Sequence, residues 1–303
     1  MRTVKVELGA ASHSAVVGRG IIGQLGELAK SAGIAPGRCA IVTDANVEKL
    51  YATPAREALI SAGFQPVMIS IAPGEASKSD AVLQTVYDRM VEGELDRSSA
   101  VFALGGGVVG DLAGFAAATF MRGIAVVQVP TTVVAQVDSS LGGKTGINHR
   151  LAKNLIGAFH QPRLIVADIA TLTTLPDREF REGLAEAIKY GAIMDAPMIA
   201  DLERGLDAIL VRDLGALEDM TARSLTHKAE IVSGDECESG RRKILNFGHT
   251  IGHALESSAG YGSFLHGEAV AIGMVAAAHL SSKFAGLSAD EASRLERLIE
   301  HAG

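Results

Sequence analysis

The sequence predicts a mainly parallel α/β sheet in its first half and an all-helical second half, and three observations carry that reading. Short β-branched runs alternate with helix-like segments through the first half, the pattern of a parallel sheet covered by helices. A glycine-rich turn joins one of those runs directly to a helix. Beyond "TLTTLPDREF" the strand-like runs stop and long Ala/Leu/Ile/Glu/Lys segments take over. The domain boundary therefore belongs near residues 170–177, giving units of 1–172 and 173–303. A cleft between two such halves is a common place for a site.

Taken in order, "MRTVKVELGA" alternates like a strand and lacks the apolar core of a signal peptide. "RCAIVTD" (38–44), "PVMIS" (66–70), "SAVFAL" (99–104), "IAVVQVP" (124–130) and "RLIVAD" (163–168) read as buried strands. Between them "SKSDAVLQTVYDRMVEG" reads as a helix with Ser77 as its cap. "AVFALGGGVVGDLAGFAAATFM" is the most apolar region, but glycines and Asp111 interrupt it. It reads as strand, turn and helix, not as a membrane span.

With 303 residues, 48% apolar and 21% charged, the chain can bury a substantial core. A net charge of -7 argues against a general nucleic-acid binder. It leaves room for small anions held in a locally basic pocket. The two cysteines, Cys39 and Cys237, are far apart and fit neither a disulfide framework nor a Cys-rich zinc site. Reduced thiols in a cytoplasmic protein are the expectation.

Gly105, Gly107 and Gly110 in "ALGGGVVGD" satisfy G-x-G-x-x-G between a strand and a helix. Such glycines let phosphate oxygens approach backbone N–H groups at a helix N-terminus. The acidic residue usual about 20 positions later is missing, because position 130 is proline. Asp44, ending an earlier strand in "TDANV", could reach a ribose hydroxyl instead. "VDSSLGGKTGINHRLAKNLIGAFHQP" (137–162) gathers Asp138, Lys144, Asn148, Lys153 and Asn154 around a glycine pair. Its plain reading is a solvated loop; its functional reading is phosphate or carboxylate contact. "PGEASKS" (73–79) is a second such turn.

In "REGLAEAIKYGAI", Glu182, Glu186 and Lys189 share a helical face, which by default is an exposed ion-paired stripe. "NFGHTIGHALE" (246–256) places His249 and His253 four residues apart, as metal-binding pairs often are. It lacks the glutamate that zinc proteases carry beside the first histidine. His266, Glu186 or Glu256 would complete a two-histidine, one-carboxylate set, and spacing does not choose among them. "HKAEIVSGDECESGRRKILNFGH" adds Lys228, Glu238, Arg241 and Arg242, and a lysine and a guanidinium beside a metal could fix an anionic substrate.

In this order, "GGGVVGDLAGFAAATFMRG", "VPTTVVAQVDSSLGGKTGIN", "KNLIGAFHQP", "GLAEAIKYG", "NFGHTIGHALE" and "LHGEAVAIGM" resemble the 3-dehydroquinate synthase family of sugar phosphate cyclases. The resemblance runs from about residue 40 to 285. It implies a Rossmann-like NAD-binding domain and an all-α metal-binding domain. It also implies conversion of 3-deoxy-arabino-heptulosonate 7-phosphate to 3-dehydroquinate with loss of phosphate. By the family's pattern, Glu186, His249 and His266 hold zinc, with Co2+ as a second metal that would serve. His253 becomes a proton-transfer group. Lys144, Asn154, Lys189, Lys228, Arg242 and Asn246 meet the substrate, and Arg122 reaches its phosphate across a homodimer interface. Asp44, Glu75, Lys78, Gly106, Gly107, Asp111, Thr131, Thr132, Asp138, Lys144, Lys153 and Thr174 line the NAD site. The enzyme would be cytoplasmic, without nucleic-acid or membrane partners.

Two departures from the family pattern stand out. Members usually run some tens of residues further, and that tail supplies another phosphate-contacting lysine. Ala152 stands where glycine is usual, a strain of ~1 kcal/mol if the position requires positive φ. The competing readings are a secondary-metabolism cyclase, a metal-dependent polyol dehydrogenase, and an inactive shortened remnant.

Overall fold

The computed structural model describes residues 1–260 and 263–303. Seven strands form the main sheet: β1 (Arg2–Val6), β2 (His13–Gly18), β3 (Arg38–Asp44), β4 (Gln65–Ile71), β5 (Ala100–Gly105), β6 (Ala125–Pro130) and β9 (Leu164–Asp168). Their order is β1-β2-β9-β6-β5-β3-β4. All neighbours are parallel except the edge pair β1–β2, which is antiparallel. The five internal runs predicted as strands coincide with β3, β4, β5, β6 and β9 to within a residue or so at each end.

The side-chain period of two explains how the sheet is covered. On one face Ile41, Phe102, Leu104, Val127 and Val166 pack against α1 (Leu25–Ser31) and α3 (Thr53–Ser61). A short turn, α2 (Ala45–Val47), leads into the latter. On the other face Val42, Val101, Ala103 and Val126 pack against α4 (Asp80–Glu92) and α5 (Gly107–Thr119). At the β1–β2–β9 edge, Val4, Val6, Ala15, Val17, Ile165 and Ala167 join a different cluster, shared with the second half of the chain.

That second half contains α6 (Asp177–Met194), α7 (Ala196–Leu210), α8 (Leu214–Gly234), α9 (His249–Ser258), α10 (His266–Phe284) and α11 (Ala289–Ala302). Their ends are capped by short acceptors: Asp195 for α7, Asp213 for α8, and a Ser288/Glu291 capping box for α11. No described helix is long and apolar enough to cross a membrane. Cys39 is buried, Cys237 is exposed, and both are free thiols.

Three expectations are corrected. Ser79, not Ser77, caps α4 by accepting from Val82 N, while the Ser77 hydroxyl donates to Ala72 O at 2.6 Å. The polar stretch read as a loop contains an antiparallel hairpin, β7 (Lys144–His149) and β8 (Ala152–Phe159). Its few inward residues, Thr145 and Ile147, leave almost no hydrophobic alternation to see. Ala152 opens β8 without left-handed strain; the positive φ in this segment, 58°, falls on Asn154.

α9 and α10 approach closely because glycines line the contact. A Cβ on Gly273 would lie 2.0 Å from Gly248 O, and one on Gly252 would lie 3.0 Å from Ala269 O. Gly273→Ala should therefore force the two helices apart. The expected result is a stability loss of about 1–3 kcal/mol in denaturant titration, together with weakened metal binding. Unchanged values for both would show that the contact is not required.

Candidate active site

The parallel strands β3, β5, β6 and β9 end on one edge of the sheet, and the crevice outside such strand ends is where α/β proteins bind ligands. Gly106 caps α5 there, and Gly107 is its first residue. A Cβ on Gly106 would sit 2.9 Å from the Thr132 methyl, and one on Gly107 would sit 3.2 Å from Ser139 Oγ. The backbone is thus bare where a phosphate would need to approach. The buried Thr131 hydroxyl at the same edge has no partner. Asp44 ends β3, and its carboxylate accepts from Asn46 N at 2.8 Å and Val47 N at 3.1 Å. Thr174 lies beyond β9, its hydroxyl 2.6 Å from Tyr51 Oη.

Lys78 joins its own turn to α5 and β8. Its buried ammonium donates to Asp111 Oδ2 at 2.7 Å and to Asn154 Oδ1, with Glu75 at 3.7 Å. Burial raises the Asp111 pKa against the opposing pull of Lys78. Lys153 points out of this group: its Nζ donates to Glu256 Oε1, 3.1 Å away on α9.

Across the cleft, α6 turns Glu186 and Lys189 inward. Both are almost wholly buried, at 0% and 1% exposure, so the expected exposed stripe is not observed. That face of α6 packs against α10 and the turn 135–139, and Lys189 Nζ donates to Glu186 Oε2. Glu182, one turn earlier, accepts from Gly267 N at 2.6 Å and so anchors the start of α10. A carboxylate at a helix N-terminus is electrostatically favourable.

Glu186 Oε1 lies 3.8 Å from His249 Nε2 and 3.7 Å from His266 Nε2. The three ligand atoms fall within 4.8 Å of one another. Tetrahedral zinc with bonds of about 2.0–2.1 Å needs ligand atoms roughly 3.4 Å apart, so the set fits an ion after small side-chain shifts. The orphaned state of Glu186 Oε1, buried without a hydrogen-bond partner, points the same way. His249 Nδ1 lies 3.2 Å from Phe247 O, which leaves Nε2 for the metal. Burial lowers the pKa of His249 and favours the neutral ligand form.

His253 stands outside that trio. Its ring centroid is 5.4 Å from that of His249 and 5.9 Å from that of His266. Burial lowers its pKa too, which favours the neutral ring, the form with a free nitrogen for a proton. Glu256 lies 3.6 Å from His266 Nδ1, on the ring nitrogen away from Glu186.

The cationic groups converge beside this centre. Lys228 Nζ donates to Asp138 O at 2.9 Å and pairs with Asp138 Oδ1 at 3.0 Å. Tyr190 donates to the same Oδ1, and Lys189 Nζ is 3.8 Å from it. Burial pushes the Asp138 pKa up, but Lys189 and Lys228 outweigh it and hold the carboxyl well below the usual range. Arg242 is buried, donates to Gly142 O at 3.0 Å and to Glu236 O, and makes no ion pair among the described residues. Lys144 and Asn246 both meet Glu238, the latter at 2.7 Å from Nδ2 to Oε1. Arg122 is not brought into this cluster. It follows α5 in a left-handed turn (Met121 φ 52°, Arg122 φ 69°) and makes no ion pair among the described residues.

Sequence reasoning missed Tyr190 and the Glu238 bridge. Tyr190 lies beside Lys189 in an apolar stretch, where nothing distinguishes a core tyrosine from a carboxylate partner.

A bare glycine-turn crevice facing a Glu/His/His centre defines an NAD- and metal-dependent enzyme of the cyclase and dehydrogenase architecture. The model described as 3-dehydroquinate synthase N-terminal matches residues 68–182, and the one described as 3-dehydroquinate synthase C-terminal matches residues 183–303. The chain belongs to the 3-dehydroquinate synthase family. It is 50% identical to the 3-dehydroquinate synthase of Geobacter metallireducens, covering 99% of this chain and 83% of that one. With the enzyme of Pelobacter propionicus it shares 51% identity over 100% and 84% of the two chains. Among solved structures, 2-deoxy-scyllo-inosose synthase with carbaglucose-6-phosphate, NAD+ and Co2+ superposes with a TM-score of 0.92 at 27% identity, covering 100% of this chain and 81% of that one. The 2-epi-5-epi-valiolone synthase of Streptomyces hygroscopicus, with NAD+ and Zn2+, gives 0.87 at 30%, covering 96% and 80%.

Two tests follow from the geometry. His249→Ala should abolish bound zinc in metal analysis, whereas His253→Ala should retain it; the reverse pattern would reassign the ligands. Asp235 accepts from Arg242 N at 3.0 Å, Gly240 N at 2.7 Å and Ser239 N at 2.9 Å, which holds its pKa down at about 2. Its folded pKa lies below the unfolded value of about 3.9. The stabilisation is therefore complete above about pH 4 and is lost as pH falls through about 2. Asp235→Asn should make the acid limb of the stability curve shallower in that window; an unchanged slope would discount the turn.

Proposed function

We propose that residues 1–172 bind NAD and that residues 173–303 bind a divalent metal and the substrate, 3-deoxy-arabino-heptulosonate 7-phosphate. The product is 3-dehydroquinate, with release of phosphate. The observation that carries this reading is Glu186 Oε1, buried between two imidazole Nε2 atoms and without a hydrogen-bond partner among the described residues, in a site that also holds the buried Arg242. When bound, the metal polarises the substrate's hydroxyl groups and NAD takes and later returns a hydride, so the cofactor ends as it began.

The chain's own residues do the rest. Arg242 offers a planar fork matched to the substrate carboxylate. Lys144, Asn154 and Asn246 supply donors for the phosphate, and substrate binding exchanges Glu238 for the incoming anion. His253, neutral and at the rim of the metal set, accepts the proton released as phosphate leaves and returns it. Lys189 and Lys228, held by Asp138, fix the polar groups around the reacting carbons. Asp44, Glu75, Lys78, Gly106, Gly107, Asp111, Thr131, Thr132, Lys153 and Thr174 hold the NAD. Arg122, which makes no ion pair among the described residues, fits a role across a homodimer interface in a cytoplasmic enzyme.

Incubation with the heptulosonate phosphate, NAD and zinc should yield 3-dehydroquinate and phosphate with no net NADH. Accumulating NADH would indicate a dehydrogenase. Turnover of glucose 6-phosphate or sedoheptulose 7-phosphate alone would indicate a different cyclase.

A further inference from the structure

We propose that Glu256 is a positioning residue that couples the cofactor side of the cleft to the metal side. The inference rests on the site reading above, in which His266 is a metal ligand and Lys153 lies at the NAD site. Glu256 is carried by α9, is buried at 7% exposure, and divides its two oxygens between two different parts of the fold. Oε1 accepts from Lys153 Nζ of β8 at 3.1 Å. Oε2 lies 3.6 Å from His266 Nδ1 on α10. The other ring nitrogen, Nε2, faces Glu186 Oε1 at 3.7 Å. The His266 imidazole is therefore flanked by a carboxylate on each side.

A metal-binding histidine usually gives its second N–H to a carboxylate, which fixes the tautomer and the ring orientation. Glu256 is placed to do this for His266. Because Lys153 and His266 use different oxygens, they do not compete. The lysine stops the carboxylate from rotating and keeps Oε2 turned toward the ring. Ordering of β8 by NAD would thus tighten the metal, and by reciprocity the metal would tighten NAD.

Glu256, His253 and His266 also form a second grouping whose ligand atoms lie within 4.8 Å. That would make Glu256 a ligand of another ion. An ammonium 3.1 Å from its oxygen disfavours a second cation there.

The test is zinc affinity, measured by competition with a chromophoric chelator, with and without NAD, for the unaltered protein, Glu256→Gln and Lys153→Met. Glu256→Gln should weaken zinc about 10–100-fold. NAD should tighten zinc about 5-fold or more in the unaltered protein and should lose that effect in both variants. The Co2+-loaded Glu256→Gln protein should keep the visible absorption of the unaltered one, because its ligand set is intact. If Glu256→Gln does not fold, Lys153→Met on the hairpin still reports the coupling, at NAD concentrations that a separate binding titration shows to saturate it. Unaltered zinc affinity in Glu256→Gln, or an NAD effect that persists in either variant, overturns the proposal while leaving the site reading in place. A second equivalent of zinc that disappears in Glu256→Gln also overturns it, making Glu256 a ligand. Absence of zinc from the unaltered protein, or its retention in His249→Ala, overturns both the proposal and the site reading.

Discussion

A carboxylate with no solvent exposure must be met by cations or donors, and Glu186 is buried in this way. Lys189 satisfies one oxygen, and among the described residues the other faces two imidazoles. This one side chain thereby ties α6 to α9 and α10, a consecutive pair much later in the chain. α6 must present it inward, and α9 and α10 must deliver a histidine each to the same oxygen. The glycines at the α9–α10 contact and the Glu182 anchor on Gly267 serve that convergence. Packing in the helical half is organised around a polar centre as much as around its hydrophobic cluster.

The electrostatics of the cleft run opposite to those of the whole chain. The net charge is -7, yet Lys78, Lys189, Lys228 and Arg242 are all buried. Asp138 offsets part of this charge by meeting both Lys189 and Lys228, with Tyr190 completing its shell. Among the described residues Arg242 meets two backbone carbonyls and, at 5.9 Å, the Phe159 ring, a neutral set of partners for a charged group. A site of this kind has cationic capacity in reserve for an anionic ligand, and its low-exposure surroundings strengthen each contact relative to water.

The parallel sheet was legible because buried strands such as 38–44 and 99–104 are continuous apolar runs, a pattern that needs no tertiary information. The hairpin at 144–159 was not, because β7 is mostly polar and glycine, the large apolar residues of β8 (Leu155, Ile156 and Phe159) are exposed, and its inward positions are few. For the metal centre, spacing named His249 and His253 as a pair, since both share one helical face. The family resemblance, not spacing, put His266 in place of His253, and the fold brings His266, from another helix, beside Glu186. The inward turn of Glu186 and Lys189 was likewise hidden from periodicity. An i, i+3 pair of opposite charges looks the same in sequence whether it faces water or a core.

The hairpin has a further consequence. Gly146 and Gly157 leave no space between its strands: a Cβ on Gly157 would lie 2.1 Å from Thr145 O. Lys144, Lys153 and Asn154 therefore ride on one closely paired ribbon that reaches from α5 to α9. Shifting any one of them displaces the others. In evolution, such a ribbon resists piecemeal change: a lineage acquiring a new sugar would be expected to remodel the entire segment at once, leaving the surrounding scaffold untouched.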